Sequence, residues 1–490
     1  MLYEKLKSIA SKYKSLPVYK ILPQNNQSPV DIFKTLKSVS RQCFILESLE
    51  DAKETGRYTF LGYDPKLEIS CKDGLLTIKN GVDIEITTDN PNKYIQKILT
   101  ENASLKFNEL PPFSGGLVGY FSYDYVKYDE KVLKLEGKDE AQFKDMDLML
   151  FDKIIAFDNY KKLIFLIINI KTDNFEENYN KALGELNLME NLITSEVKAN
   201  IQPLKLLSDF NALFDKEKYC EMVEKAKHYI KEGDIFQVVL SNRFEAEAKG
   251  SIFDTYQILR ELNPSPYMFY FSSDKVEIAG ASPETLVKLE GKKLFTFPLA
   301  GTRRRGINEK EDKELETELL SDPKELAEHN MLVDLGRNDL GKISKFGSVK
   351  VEKYLSILRF SHIMHIGSTI SSKILDNKNA IDAISSVLPA GTLSGAPKIR
   401  ACEIIHELEG NRRGIYGGAI GYLSFSGDMD TCIAIRIAFK KDDKVYVRSG
   451  AGIVADSIAE NEYEECNNKA KAVFNALRKA AKETNDFAYR

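Results

Sequence analysis

The most apolar run in the chain is only eight residues long: LIFLIINI, at 163–170. A helix needs about 20 apolar residues to cross a bilayer, so this run reads as one buried strand and no membrane partner is expected. It has many short companions. Residues 57–85 divide into short strands with turns, one of them the CKDG turn at Gly74, and two more strands flank the DNYKK turn within 147–170. SGGLVGYFSYDYV, at 114–126, is an aromatic-rich strand after paired glycines, and further strands fill 276–300. Helical spacing lies between them, at 31–39, over 174–196, and at Tyr219, Met222, Val223, Ala226 and Ile230 before a closing Gly233. Short strands interleaved with helices, with no internal repeat, predict a layered α+β protein.

At 490 residues the chain is too long for one ordinary core. Periodicity fades over 198–207, which predicts an N-terminal region at 1–205 and a second domain at 206–490. The 69 basic and 73 acidic residues give a net charge of −4, which argues against general nucleic-acid binding. Six scattered cysteines form no CxxC pair, so a zinc site and a disulfide framework are not expected. The N-terminus, MLYEKLKSIASKYK, lacks the apolar core of a signal peptide. A cytoplasmic location is expected.

Two acidic helices stand out. In SDPKELAEHNMLVDLGRND, at 321–339, Asp322 is placed to cap, Pro323 fits the first helical position, and Glu325 sits where a capping-box glutamate belongs. Glu325 and Glu328, three apart, share a face. In SIAENEYEECNNK, at 457–469, Ser457 and Glu460 suggest a second capping box, and Glu462, Glu465 and Lys469 share a face. A solvated acidic face accounts for either helix alone. If the two meet, their carboxylates suit a hard octahedral cation such as Mg²⁺.

Several segments could hold an anion. LAGTRRRG at 299–306, PAGTLSGAPK at 389–398 and SGAG at 449–452 are small-residue loops whose backbone amides can approach one. None has P-loop spacing. The arginines at 303–305 also fit a solvated face. Tyr416 stands among glycines in GIYGG, and Arg436 lies in the apolar strand pattern of DMDTCIAIRIAF, where a guanidinium needs an anionic partner. Gln237 is a polar group on an otherwise apolar strand. His365, in SHIMH, is by itself read as a core histidine. The residues alone point to a metal-dependent enzyme acting on a small polyanion.

In order, PLAGTRRRG, KELAEHNMLVDLGRNDL, SHIMH, AGTLSGAPKIRA, RRGIYGGAIGY, DTCIAIR and GAGIVADSIAENEYEE resemble the chorismate-utilising enzyme family over most of residues 216–478. The resemblance implies a layered β/α/α/β sandwich and Mg²⁺ as cofactor. Within the family the motifs are most similar to the anthranilate synthase component I branch, which makes anthranilate and pyruvate from chorismate and ammonia. Members that add water tend to carry lysine where Gln237 stands, and members that make aminodeoxychorismate often carry lysine where Ala300 stands. Those aminodeoxychorismate synthases, and a silent tryptophan-binding relative, are the alternatives.

The same resemblance assigns residues. It implies that Glu328 and Glu465 bind Mg²⁺, with Glu462 beside them, and that Glu325, Gln237, Thr392 and His365 form the catalytic set. Gly301, Thr302, Tyr416, Arg436, Gly450, Ala451, Gly452 and Lys469 would contact substrate. Glu47 and Ser48, in LES, and Asn263, Pro266, Tyr267 and Met268, in NPSPYMF, match the two halves of a tryptophan feedback pocket. No cysteine sits in a glycine-flanked nucleophile elbow, so a separate glutamine amidotransferase subunit (component II) is the expected partner, in a heterotetramer. Ala459 and Cys466 depart from the proline and threonine common at those positions, and neither removes a charge.

Overall fold

The computed structural model describes residues 2–49, 56–135, 137–359 and 363–482; Ser361 and His362 of the SHIMH segment fall outside them. Among the described residues there are two antiparallel sheets, of 13 and 12 strands, with helices against them. In the larger sheet, Cys43–Glu47 lies between Tyr58–Tyr63 and Tyr267–Ser272, with Leu46 opposite Phe269. In the smaller, Gly116–Phe121 pairs with Ala419–Ser424, Val118 opposite Tyr422. Each sheet therefore contains strands from both sides of residue 205. The division at 205/206 marks a stretch without periodicity, not a break between two separately folded bodies.

The α+β class is as expected. Where the sheets meet, aromatic side chains on their inner faces pack directly on each other. Phe44 of the larger sheet meets Phe151 of the smaller edge-on at 4.8 Å, and Phe60 of the larger meets Tyr422 of the smaller edge-on at 6.0 Å. Fully burying one such ring stabilises the fold by about 1.5–3 kcal/mol. The amphipathic helices take the outer faces. Phe33 of Pro29–Val39 and Phe253 of Phe253–Leu262 stack at 4.9 Å over Tyr270. On the other side, Ile95, Ile381, Ile384 and Val333 from three helices share a core with Leu117 and Phe121.

Two neighbouring strands cross from one sheet to the other together. Val276–Ser282 belongs to the larger sheet, and after Pro283 and Glu284 the chain continues in the smaller as Thr285–Glu290. Beside it, Met429–Ile433 of the smaller sheet is followed by Ile437–Lys441 of the larger. Backbone bonds tie the crossings: Ile433 N–H donates to Glu284 O (3.0 Å) and Ala281 N–H to Arg436 O (3.2 Å). Arg436 is thus not within one strand, as the apolar pattern suggested. It sits at the crossing with φ +52°, because the chain must turn there to change sheets.

The first acidic helix is Pro323–Gly341, and the Asp322 carboxylate accepts from the amides of Lys324 and Glu325. The second is Ala459–Ala480. Its expected capping box does not form: Ile458 holds the cap position and Ser457 Oγ accepts from Val454 N–H (3.1 Å) instead. The strand that carries Gln237 starts at that residue, leaving Phe236 75% exposed. No described helix is long and apolar enough to cross a membrane.

Candidate active site

The two acidic helices converge. Burial raises the Glu328 carboxyl, the nearby Glu325 and Glu465 raise it further, and Lys469 opposes them. Glu462 is raised by burial and by Glu465, while the Ser457 hydroxyl steadies its charge. Lys469 pairs with Glu465 at 2.7 Å, but both side chains are half exposed, so this bridge contributes little. Facing carboxylates with so little countercharge are a donor set of hard oxygens. Among the described residues no three His, Cys, Asp or Glu side chains are close enough to hold an ion by themselves. A cation here would complete its shell with water or substrate oxygens.

Beneath these carboxylates runs the strand Leu299–Arg304. Gly301 lies in its bulge with φ +66°, and a Cβ there would stand 3.2 Å from Glu325 Oε2. Only glycine combines that conformation with that approach. Thr302 pairs in register with His365. His365 Nδ1 lies 2.8 Å from Gly301 O and 3.0 Å from Thr302 Oγ1. A carbonyl can only accept, so Nδ1 carries the proton and Nε2 is the basic nitrogen. Burial lowers the imidazole, the Gly301 carbonyl pulls the other way, and Arg436 lowers it further. The ring is therefore neutral at neutral pH.

The crossings supply the centre. Glu284 is buried, and burial pushes its carboxyl up to about 8 against the pull of Thr392, Arg436 and Lys469. The Arg436 guanidinium is lowered by burial, against which an ionised Glu284 pulls it back up. Thr392 Oγ1 is buried with no hydrogen-bond partner, although it is near enough to Glu284 to temper its rise. Sequence reasoning passed over Glu284. The available signal was a carboxylate directly after a proline, between two apolar strands.

Gln237 is 5% exposed, and a Cβ on Gly452 would lie 2.8 Å from its Nε2. Register pairing sets Gly450, Ala451 and Gly452 opposite Ser241, Leu240 and Val239. Tyr416 is buried beside Arg413 and Arg448. The structure thus draws the sequence-predicted residues toward one region from both sheets. The arginine run does not hold an anion. Arg303 binds Asp322 (2.9 Å), Glu318 (3.1 Å) and Glu325 (3.3 Å), and Arg305 binds Asp312 (2.9 Å). His329 is a core residue: its Nε2 meets Ser368 Oγ at 2.6 Å and burial lowers it to about 4.

A separate cleft of about 1030 Å³ opens between the sheets, and Glu47, Ser48, Pro266, Tyr267 and Met268 line it. Asn263 stands apart, closing its helix and bonding Ser265 (3.3 Å). The Glu47 carboxylate accepts from Tyr256 and from Arg260, whose Nη2 is 3.1 Å away. Ser48 Oγ is buried without a partner. Tyr267 donates to Asp430 at 2.7 Å. Pro283 and Thr285, which flank Glu284, also line this cleft.

Residues 41–475 match the model of the chorismate binding enzyme family. The anthranilate synthase component 1 of Acetivibrio thermocellus is 43% identical over 97% of this chain and 98% of its own length. That of Aquifex aeolicus is 42% identical over 97% of both. The crystal structure of anthranilate synthase component I from Streptococcus pneumoniae is similar with a TM-score of 0.73 and 40% identity, covering 85% of this chain and 92% of that one. The menaquinone-specific isochorismate synthase of Escherichia coli shares the fold, with a TM-score of 0.69 at 19% identity over 97% of this chain and 98% of that one. With the family model spanning most of the chain and relatives above 40% identity along nearly all of it, the chain belongs to the chorismate binding enzyme family.

Proposed function

We propose that this chain is the chorismate-converting component of an anthranilate synthase, turning chorismate and ammonia into anthranilate, pyruvate and water. One observation carries the reading. A buried carboxyl raised to about 8 and a lowered, neutral imidazole both feel the charge of the same buried arginine. Environments that push two titratable groups apart mark an acid and a base.

Ammonia adds to the ring, and the ring hydroxyl departs as water with the Glu284 proton. The added nitrogen gives up a proton that restores Glu284, His365 Nε2 takes the proton from the carbon bearing the new amine, and the enolpyruvyl group leaves and takes that proton to become pyruvate. Aromaticity makes this second step strongly downhill. Arg436 and Tyr416 grip the enolpyruvyl carboxylate, while Gly301, Thr302 and the strand residues 450–452 hold the rest of the substrate. Gln237, uncharged, suits a nucleophile that needs no general base, and the buried Ala300 leaves no lysine to trap the ring. Mg²⁺, held by Glu328 and Glu465 and through water by Glu325 and Glu462, would supply the positive charge that grips the ring carboxylate.

We further infer that a glutaminase partner supplies ammonia in the cell, in keeping with relatives named as a first component. L-tryptophan would bind the cleft between the sheets, with Ser48 Oγ as a waiting hydrogen-bond group. The test is to incubate the purified chain with chorismate, Mg²⁺ and ammonium at alkaline pH, follow anthranilate fluorescence and pyruvate together, and then add tryptophan. Both products, suppressed by tryptophan, support the reading. An amino product without pyruvate would make the chain an aminodeoxychorismate synthase, and no turnover would sink the enzymatic reading.

A further inference from the structure

The proposed reaction site has walls from three distant segments: the turn with Thr392, the Gly414–Gly418 loop with Tyr416, and the paired strands bearing Gln237 and Gly450–Gly452. A buried cluster of charge joins them. Glu409 ends the helix Lys398–Glu409 and is 4% exposed. It accepts from Arg413 Nε (3.0 Å) and Nη2 (2.6 Å), Arg448 Nη2 (2.7 Å), and Ser241 N–H (2.8 Å) and Oγ (2.9 Å).

Each arginine reaches on to a different wall. Arg413 donates to Leu393 O and Val239 O, both at 2.6 Å, so it holds the residue after Thr392 and the residue opposite Gly452. Its guanidinium also covers the Tyr123 ring at 4.7 Å. Arg448 donates to Ser241 Oγ (2.8 Å) and to Arg412 O (3.1 Å), two residues before the glycine loop. Ion pairs this deep add little net stability over an apolar core of similar shape, so their better attested use is to fix geometry.

We propose that Glu409 is a positioning residue for this reaction: by clamping Arg413 and Arg448 it sets the spacing between Thr392, Tyr416 and the strand residues 450–452 without touching substrate. The inference rests on the proposed reaction at this site. Misplacing a reactant by about 1 Å can cost on the order of 100-fold in rate, whereas binding spread over many contacts changes little. The clamp should therefore govern kcat more than the KM for chorismate.

The experiment compares Glu409→Gln, Glu409→Asp, Arg448→Lys and Ser241→Ala with the parent chain. Ammonia-dependent kcat and the KM for chorismate are measured per folded molecule, with folding followed by circular dichroism and thermal unfolding. The expected result is a kcat loss of about 10-fold or more in Glu409→Gln and Arg448→Lys, a KM within about 3-fold, and partial recovery in Glu409→Asp. If Glu409→Gln does not fold, the decision rests on Arg448→Lys and on Ser241→Ala, which removes only a hydroxyl from the clamp. Folded variants with kcat within about 2-fold of the parent, or kcat and KM moving together, overturn the positioning role. An inactive parent chain overturns the reaction itself, and so fails in a different measurement.

Discussion

Glu284→Gln should make the protein more stable and nearly inactive, and both effects follow from one buried proton. The carboxyl has an ordinary value of 4.5, and burial carries it to about 8. Below pH 4.5 both the folded and the unfolded chain hold the proton, so the group costs nothing. As pH rises, the unfolded chain releases the proton freely while the folded chain must keep it or bury a charge. At about 1.4 kcal/mol per pH unit, this costs about 3 kcal/mol at pH 7 and levels off near 5 kcal/mol above pH 8. Glutamine has the same shape and no proton to lose. Equilibrium urea unfolding of both proteins from pH 4 to pH 9 should give curves that coincide in acid and separate steadily to pH 8, the variant being the more stable. Over the same range kcat should fall by about 10²–10⁴-fold, the usual contribution of a general acid. A stability gap that does not change with pH, or a variant that keeps its turnover, would refute the reasoning.

Other outcomes can be checked independently. For the parent enzyme, the rate at a fixed concentration of free NH₃ should decline above pH 8 as Glu284 loses its proton, even while the rate per total ammonium still rises. Glu328→Gln should weaken Mg²⁺ by about 10–100-fold in a calorimetric titration with chorismate present. If tryptophan binds as proposed, Ser48→Phe should fill that end of the cleft and abolish feedback while leaving kcat within about 2-fold; a variant that stays fully sensitive to tryptophan would place the inhibitor elsewhere. Gly418→Ala should leave little folded protein in expression trials. Its new Cβ would lie 2.0 Å from Phe121 O, and neighbouring backbone cannot yield without breaking the sheet, a loss of about 3 kcal/mol or more.

The acidic helices could be read from sequence because their cues are local. Asp322 and Pro323 announce the first, and carboxylates three apart share a face whatever packs on them. The second cap failed for an equally local reason, the chain entering that helix at Ile458 rather than Ser457. Arg436 was placed in a strand because TCIAIRIAF alternates without a break, and nothing local marks the change of sheet at 434–436. Glu284 was missed for the same cause, since its importance comes from two crossings meeting side by side. Which face each aromatic takes was hidden too. An aromatic side chain that faces a helix and one that faces another sheet look alike in a sequence. Strand pairing over more than 200 residues, such as Leu46 with Phe269, has no signature in periodicity at all.

That weaving has a consequence during synthesis. When residue 205 leaves the ribosome, Cys43–Glu47 and Gly116–Phe121 each have a neighbour on one side only, for their other partners are Tyr267–Ser272 and Ala419–Ser424. Counted from its own synthesis, at about 5–20 residues per second, the first edge waits roughly 10–45 s for its partner and the second roughly 15–60 s. Both waiting edges are apolar, and an unpaired edge is a template for the wrong chain. The nascent protein therefore passes through a period in which only five strands of each sheet are made and neither can close. A holding chaperone would act in that interval, and slowing translation after residue 121 should lower the yield of soluble protein.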